Sequence, residues 1–510
     1  MPSIVYLIGA GPGDPGLITV RGLQCLASAD VVLYDHLVHP RLLRRARRDA
    51  ETIDVGVAAP QALEQEAICY LLAEKAREGK IVARLKWGDP FVFDRGGSEA
   101  LFLHEQGVHF EVIPGIPAGL GAASYAGIPL TYPGGGDTLT FVRGHEDEGK
   151  RRAAVDWTSL SRLDGTVVCY AGSDQLAHML SALLAHGRPK DDSAALIYNG
   201  TLPTQETTVG TLEEIGRMVK QSSDRRAAIL VVGRVAALRE HLRWFDSRPL
   251  FGKRILVTRP RNQAAELVEP LEALGAEAIE SPLIRIMPPE DYGPLDEACA
   301  SIGQFDWVIF SSANAVEAFI TRLLASPLDL RSLCGVKLCA VGSATSKELA
   351  RHGLKVDLVP HEFRAEAVAQ AFASFGNLRG LRVLLPRADI GREVVADELR
   401  KQGVAVTEAV AYRTVVANPE REGEPDTYRM LLEQRIDVVT FTSPSAVRNL
   451  VAALGPEPAA DLLRTTIVAS IGPVTAEAAA QLGIQTTIMP AEHTVPALVD
   501  AIVEHLSRKT

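Results

Sequence analysis

Short apolar runs, closed by glycine, proline or a polar turn and commonly followed by a stretch of helical spacing, set the rhythm of this chain. In the first half they predict strands over residues 4–8, 31–34, 81–83, 110–113, 139–142, 166–170, 194–198 and 227–232. Apolar positions at helical intervals predict helices over 17–28, 64–77 and 120–126, with another opening at Ala100. Strands alternating with helices predict an α/β protein, here with two parallel or mixed layers.

Beyond a short connector the pattern repeats itself. RILVTRP at 254–260 is echoed by RVLLPRA at 382–388, and DWVIFSSANAV at 306–316 by DVVTFTSPSAV at 437–447. Gly342, Thr345 and Pro360 are echoed by Gly472, Thr475 and Pro490, so the interval is about 130 residues throughout. That is too long for one turn of a solenoid and predicts two similar lobes. Each is expected to be a parallel sheet wrapped by helices, with strands over 338–341, 355–359, 404–409 and 467–471. Serines and threonines that start helices after the strands are expected to face one cleft.

A chain of 510 residues exceeds a single core. The net charge of -10 argues against nonspecific binding to nucleic acid or an anionic membrane, although Arg41, Arg44, Arg45, Arg47 and Arg48 form a local basic cluster. Cys25, Cys69, Cys169, Cys299, Cys334 and Cys339 lack metal-site spacing and read as reduced, mostly buried thiols, with no metal expected. The start of the chain enters a strand directly, and no apolar stretch approaches a membrane span, so a cytoplasmic protein is expected.

Two loops carry the candidate chemistry of the first half. Residues 84–99, RLKWGDPFVFDRGGSE, read as a strand end, a shaped loop and a helix start, bringing backbone donors and a carboxylate to the carboxyl end of a strand. The loop GAGPGDPG at 9–16 has the coarse look of a dinucleotide site but not its detail. Gly13 comes one place early, Pro12 removes a backbone donor, and Asp14 sets negative charge where pyrophosphate would sit. A cationic ligand without phosphates suits it better than a nicotinamide nucleotide.

Seven ordered motifs carry a resemblance over about 1–246. They are GAGPGDP at 9–15, Tyr34 with Asp35, GDPFVF at 88–93 with Arg95 and the following glycine pair, Pro114 to Ile116, YAGIPLT at 125–131, Gly144 to Glu146, and Asn199 to Thr201. Together they resemble uroporphyrinogen-III C-methyltransferase of the tetrapyrrole methylase family. The resemblance implies two α/β domains meeting near 130–136, with S-adenosylmethionine (SAM) between them and a homodimer as the common assembly. It implies Asp35 as proton acceptor and Pro12, Trp87, Gly88, Asp89, Val92, Pro117, Ala118, Ala171 and Gly200 as the SAM site, with Arg95 toward substrate. The alternative for Asp35 is that it simply caps or turns the chain after its strand. The chain departs from the family at this site: Val57 replaces a lysine, Trp87 and Asp94 replace glycines, and Ser98, Pro117 and Ala171 replace a glutamate, a threonine and a methionine.

The second half, about 253–510, resembles uroporphyrinogen-III synthase. The residues are Thr258 to Pro260, FSSANAV at 310–316, Val341 and Gly342 with Thr345, Tyr412 to Thr414, FTSP at 441–444, and Ile471 and Gly472 with Thr475. The resemblance implies that 253–283 pack with 416–510, that 286–411 form the second lobe, and that 247–252 link the halves. Tyr412 either donates a proton to the leaving hydroxyl or anchors the interlobe linker. Thr258, Ser311, Thr345, Thr442, Ser443 and Thr475 either bind substrate carboxylates or cap helices. The combined expectation is a bifunctional enzyme that cyclises hydroxymethylbilane to uroporphyrinogen III and methylates it twice to precorrin-2, for siroheme or cobalamin. The departures leave open a methylase-like domain that binds tetrapyrrole or SAM without turnover.

Overall fold

A computed structural model of the protein describes residues 3–47, 49–56, 63–144, 155–172, 175–221, 226–259, 261–280, 284–341, 343–360, 372, 378–389, 394–416, 427–454 and 456–508. Val57 and the motif residues His145, Glu146, Pro260 and Gly342 lie outside them. Among the described residues the strands fall into four sheets. The first holds β1 (Ile4–Gly9), β2 (Val31–Tyr34), β3 (Glu51–Asp54), β4 (Ile81–Lys86) and β5 (Phe110–Ile113), ordered β3-β2-β4-β1-β5. All its pairings are parallel, with Ile4 opposite Ile81 and Val5 opposite Phe110. Its Val, Ile and Leu side chains are buried on both faces, as helix-covered parallel strands require. The connections leaving β1 and β4 cross the sheet in opposite directions, so a crevice opens between these neighbours at their carboxyl ends.

The second sheet contains β6 (Thr138–Arg143), β7 (Gly165–Ala171), β8 (Ser193–Tyr198), β9 (Glu206–Thr211) and β10 (Ala228–Val232), ordered β6-β7-β10-β8-β9. Only β6 and β7 pair in parallel; the other three pairings are antiparallel. Two polar strands, β3 and the edge strand β9, were not expected from apolar runs. The helix expected over 17–28 starts later, because Pro15–Leu17 makes a separate tight turn and Thr19 caps Val20–Ser28 by accepting from Gly22 N–H at 3.1 Å.

In the second half the chain builds one sheet, leaves it, and returns. β11 (Arg254–Val257) and β12 (Glu277–Glu280) come first. β13 (Ile284–Met287), β14 (Trp307–Phe310), β15 (Lys337–Ala340), β16 (Arg382–Ala388) and β17 (Ala405–Val416) then form a sheet ordered β13-β17-β16-β14-β15. β18 (Val438–Phe441) and β19 (Ile467–Ser470) return to give the order β12-β11-β18-β19. The four-stranded sheet is wholly parallel, as expected. The five-stranded one is not: β13 runs antiparallel to β17, because the chain enters this lobe along its outer edge. The strand expected over 355–359 does not form; Leu358 makes only an isolated bridge to Cys339.

Candidate functional site

Three loops converge at the carboxyl ends of β1, β4 and β5. Gly11 and Gly88 exchange backbone hydrogen bonds, Gly11 N–H to Gly88 at 3.2 Å and Gly88 N–H to Gly11 at 2.8 Å. A Cβ on Gly115 would sit 2.2 Å from the Gly88 carbonyl oxygen and 2.7 Å from the Gly9 Cα, so these backbones pass where no side chain fits. Asp89 fastens the crossing: Oδ1 accepts from Phe91 N–H at 2.8 Å and Oδ2 from Gly115 N–H at 2.9 Å. Its carboxylate is therefore spent on loop shape.

The second sheet supplies the opposite wall. Pro117 precedes the helix Ala118–Tyr125, whose Gly121 lies so close to Pro12 that a Cβ would come within 2.5 Å of Cγ. A Cβ on Gly200 would come within 2.4 Å of the Ala122 methyl. Ala171 closes β7 and is buried. Thr201, also buried, accepts from Asp14 N–H at 3.0 Å. Phe93, Asn199 and Thr201, three of the four non-glycine residues with left-handed backbone among the described residues, belong to these loops. Such cost is retained where a loop must hold one shape.

Trp87 does not leave the open backbone approach that a glycine would. Its indole N–H donates to the Pro12 carbonyl at 3.1 Å, and its ring packs with the small-residue core around Ala118 and Ala122. The ring joins the two strand-end loops to the second sheet. Phe93 reaches across in the same way and meets Tyr170 edge-on at 5.0 Å, while Tyr170 accepts from Gly119 N–H at 2.9 Å. Phe91, Val92 and, despite this contact, Phe93 are exposed.

Asp35 follows β2 with its side chain one quarter exposed. Its Oδ1 accepts from Arg84 Nη2 at 2.5 Å and its Oδ2 from Trp87 N–H at 3.3 Å. Behind it lies a chain of ions that the reading of the loops missed. Arg84 Nε also reaches Glu99 Oε1 at 3.4 Å, Lys86 Nζ lies 2.9 Å from the same oxygen, and Lys86 Nζ lies 3.1 Å from Asp94 Oδ1. Arg84, Lys86 and Glu99 are almost wholly buried, and Glu99 Oε2 has no partner among the described residues. Burial opposes the charge on Arg84, but Glu99 and Asp35 together raise its pKa above the ordinary arginine value. Burial also raises the Asp94 pKa, against the pull of Lys86. The signal was present in sequence: a cation pair two apart on an apolar strand puts both charges on one face, and burial then demands acids. Arg95, the expected substrate contact, precedes the helix Gly96–Glu105 and its N–H donates to Asp94 at 2.6 Å.

In the second half the expected hydroxyl residues divide. Thr258 donates to the Thr440 carbonyl at 2.7 Å and Thr440 to the Leu256 carbonyl at 2.9 Å, stitching β11 to β18. Thr345 bonds back to the Val341 carbonyl at 3.0 Å, and Thr475 is buried in its helix. Ser443 accepts from Ala446 N–H at 3.2 Å, and Thr442 before it is half-buried. Ser311 is exposed; the neighbouring Ser312 caps the helix Ala313–Ala325. Ser312 also shares a 3.0 Å hydrogen bond with the Tyr412 hydroxyl, so Tyr412 meets a helix start. Burial raises the Tyr412 pKa and keeps the phenol protonated.

Comparison with known proteins separates the halves along the chain. Residues 4–216 match the family model of tetrapyrrole (corrin/porphyrin) methylases, and residues 265–500 that of uroporphyrinogen-III synthase HemD. The porphyrin biosynthesis protein HemD of Ruminiclostridium josui is 35% identical over 503 residues, 98% of this chain and 98% of that one. The chain belongs to the tetrapyrrole methylase and uroporphyrinogen-III synthase families. The uroporphyrinogen-III C-methyltransferase of Bacillus subtilis (strain 168) is 37% identical over 358 residues, 70% of this chain and 73% of its own. The crystal structure of uroporphyrin-III C-methyl transferase from Thermus thermophilus complexed with S-adenyl homocysteine is 35% identical and covers 46% of this chain and 99% of its own, at a TM-score of 0.40. The crevice bounded by Trp87 is thus in the methylase half, and Tyr412 is in the synthase half. Among the described residues no group of three or more His, Cys, Asp or Glu side chains could hold a metal, and no helix is long and apolar enough to cross a membrane.

Proposed function

We propose that the protein is bifunctional: the synthase half cyclises hydroxymethylbilane to uroporphyrinogen III, and the methylase half methylates that product twice to precorrin-2. Residues 1–246 are assigned to methylation and 253–510 to cyclisation, with 247–252 between them. The observation that carries the methylase reading is Asp35, a partly open carboxylate oriented by Arg84 at the mouth of a crevice whose backbones meet at three glycines.

The crevice suits SAM in chemistry as well as shape. The negative charges of Asp14 and Asp89, although both carboxylates are hydrogen-bonded within their loops, favour a cation over a phosphate, and exposed Val92 offers apolar surface. Pro12, Trp87, Gly88, Asp89, Val92, Pro117, Ala118, Ala171 and Gly200 would hold it, and when bound it supplies an electrophilic methyl group. Asp35 takes the proton lost from the methylated pyrrole ring, with Arg84 and the Trp87 N–H fixing the carboxylate's direction. Trp87 and Tyr170, both partly buried, bound the crevice and limit the water that reaches it. In the synthase half the work is to hold a flexible chain in a ring-closing shape, and Tyr412, kept protonated beside Ser312, gives a proton to the departing hydroxyl. The reading carries with it a cytoplasmic protein that dimerises through the methylase half.

Mass spectrometry of the products from hydroxymethylbilane and SAM tests both activities at once. The expected product is a cyclised tetrapyrrole carrying two added methyl groups, and Asp35→Asn should stop at the unmethylated macrocycle. A wild-type chain that cyclises and binds SAM but never methylates would convert the first half to a binding domain, as the Trp87 substitution invites.

A further inference from the structure

The methylase crevice and the synthase half meet at one helix end. After Asp35 the chain turns, Val38 N–H bonding to the Asp35 carbonyl at 2.9 Å, and enters the short helix Pro40–Leu43, which His39 caps through Nδ1. Arg41 on that helix pairs with Glu272, donates to the Ala278 carbonyl on β12 at 2.8 Å, and lies 3.4 Å from Glu280. Arg44 adds a 3.0 Å pair with Glu280. Glu272 belongs to the last turn of the synthase helix Arg261–Ala273, where a cation is favoured by the free carbonyls.

A second route starts from the other crevice loop. Tyr125 donates to Asp14 Oδ2 at 2.7 Å, and its ring meets Trp244 at 5.1 Å and Phe245 at 4.7 Å. The Arg248 guanidinium lies 4.7 Å from the Trp244 ring centre and 5.2 Å from that of Phe245, and reaches the Glu272 carbonyl at 3.5 Å. The charge on Asp14 acts on both His39 and Glu272. Thus Asp14 and Asp35, on separate loops of one crevice, each lead to Glu272 through a chain of neighbouring contacts.

We infer that the synthase half is a working part of the methylase's cofactor site: the seam at Glu272 holds the Asp14 loop and the Asp35 turn in their binding shape, and the grip on SAM depends on it. This rests on the reading of that crevice as the SAM site. The physical reason is that loops pay ordering entropy when they bind, and a seam that orders them beforehand removes part of that cost.

The test uses the full chain with Arg41→Glu, Glu272→Arg, and both together. Calorimetry with S-adenosylhomocysteine is expected to show affinity weakened roughly fivefold or more in each single variant and largely recovered in the pair. Hydrogen exchange of residues 10–19 and 34–38 without ligand should quicken in the singles and slow again in the pair. Cyclisation of hydroxymethylbilane should stay within about twofold, since neither residue touches the synthase cleft residues. Should a reversal disrupt folding, Arg41→Gln gives the same readings with a milder change. Unchanged affinity and unchanged exchange in the single variants would overturn the inference. If the wild-type chain does not bind S-adenosylhomocysteine, the methylation reading falls, while exchange of the two loops still decides whether the seam holds them.

Discussion

His39 should make this region acid-sensitive in a way that one substitution removes. Its pKa is lowered from 6.5 to about 4, first by burial and then by the neighbouring Arg41, with Asp14 pulling the other way. The neutral ring is also needed geometrically, because Nδ1 accepts from Arg41 N–H at 3.2 Å and cannot do so once protonated. The sign follows from proton uptake. As pH falls below 6.5 the unfolded chain protonates His39 and the folded one does not, so stability declines from that point and the loss is complete only below about 4. The whole interval corresponds to roughly 3 kcal/mol, with no contribution above neutrality. His39→Asn keeps a capping oxygen and removes the titration. Hydrogen exchange of residues 31–47, read from pH 7.5 down to pH 4, suits a chain with several sheets, for which a single melting temperature is not defined. The two proteins should agree at pH 7.5, and the wild type should lose protection faster below pH 6. Parallel curves across the range would refute the argument.

Two further substitutions divide the activities. Tyr412→Phe should lower the rate of cyclisation about tenfold and leave methylation of supplied uroporphyrinogen III unchanged; an unaltered rate would leave the tyrosine as an anchor of the linker. Trp87→Phe keeps an aromatic ring, though a smaller one, and loses the hydrogen bond to Pro12, which should cost about 1 kcal/mol of S-adenosylhomocysteine affinity; tighter binding in calorimetry would show the indole to be an obstruction instead.

Much of the architecture was legible because the information was local. Apolar runs marked β1, β2, β7, β8 and β10, and the internal echo marked two lobes before any contact was known. What escaped depended on partners far along the chain. β3 and β9 are polar because each is an edge strand of its sheet. The direction of β13 is set by where the chain enters its lobe rather than by any residue within it. At the crevice the glycine-rich loops could be named from spacing, and Asp35 from the family resemblance. The roles of Asp89 and Thr258 as fasteners could not, since each is defined by a bond to another strand or loop. For the Arg84 to Asp94 chain the two cations could be placed on one face of an apolar strand, but the acids that meet them, on the following loop and helix, could not be assigned.

The interrupted route of the chain through the four-stranded sheet has a consequence for its synthesis on the ribosome. β11 ends at Val257 and its inner neighbour begins at Val438, so at ~5–20 residues per second the inner edge of an apolar strand, paired only with β12, waits roughly 10–35 s for its companion. Exposed strand edges are sites of self-association during such a delay. The methylase half emerges first, and its Arg41 and Arg44 are then in place to cover the outer side of the nascent pair at β12. Gene order here gives the later enzyme a partner to lean on while it is still being made.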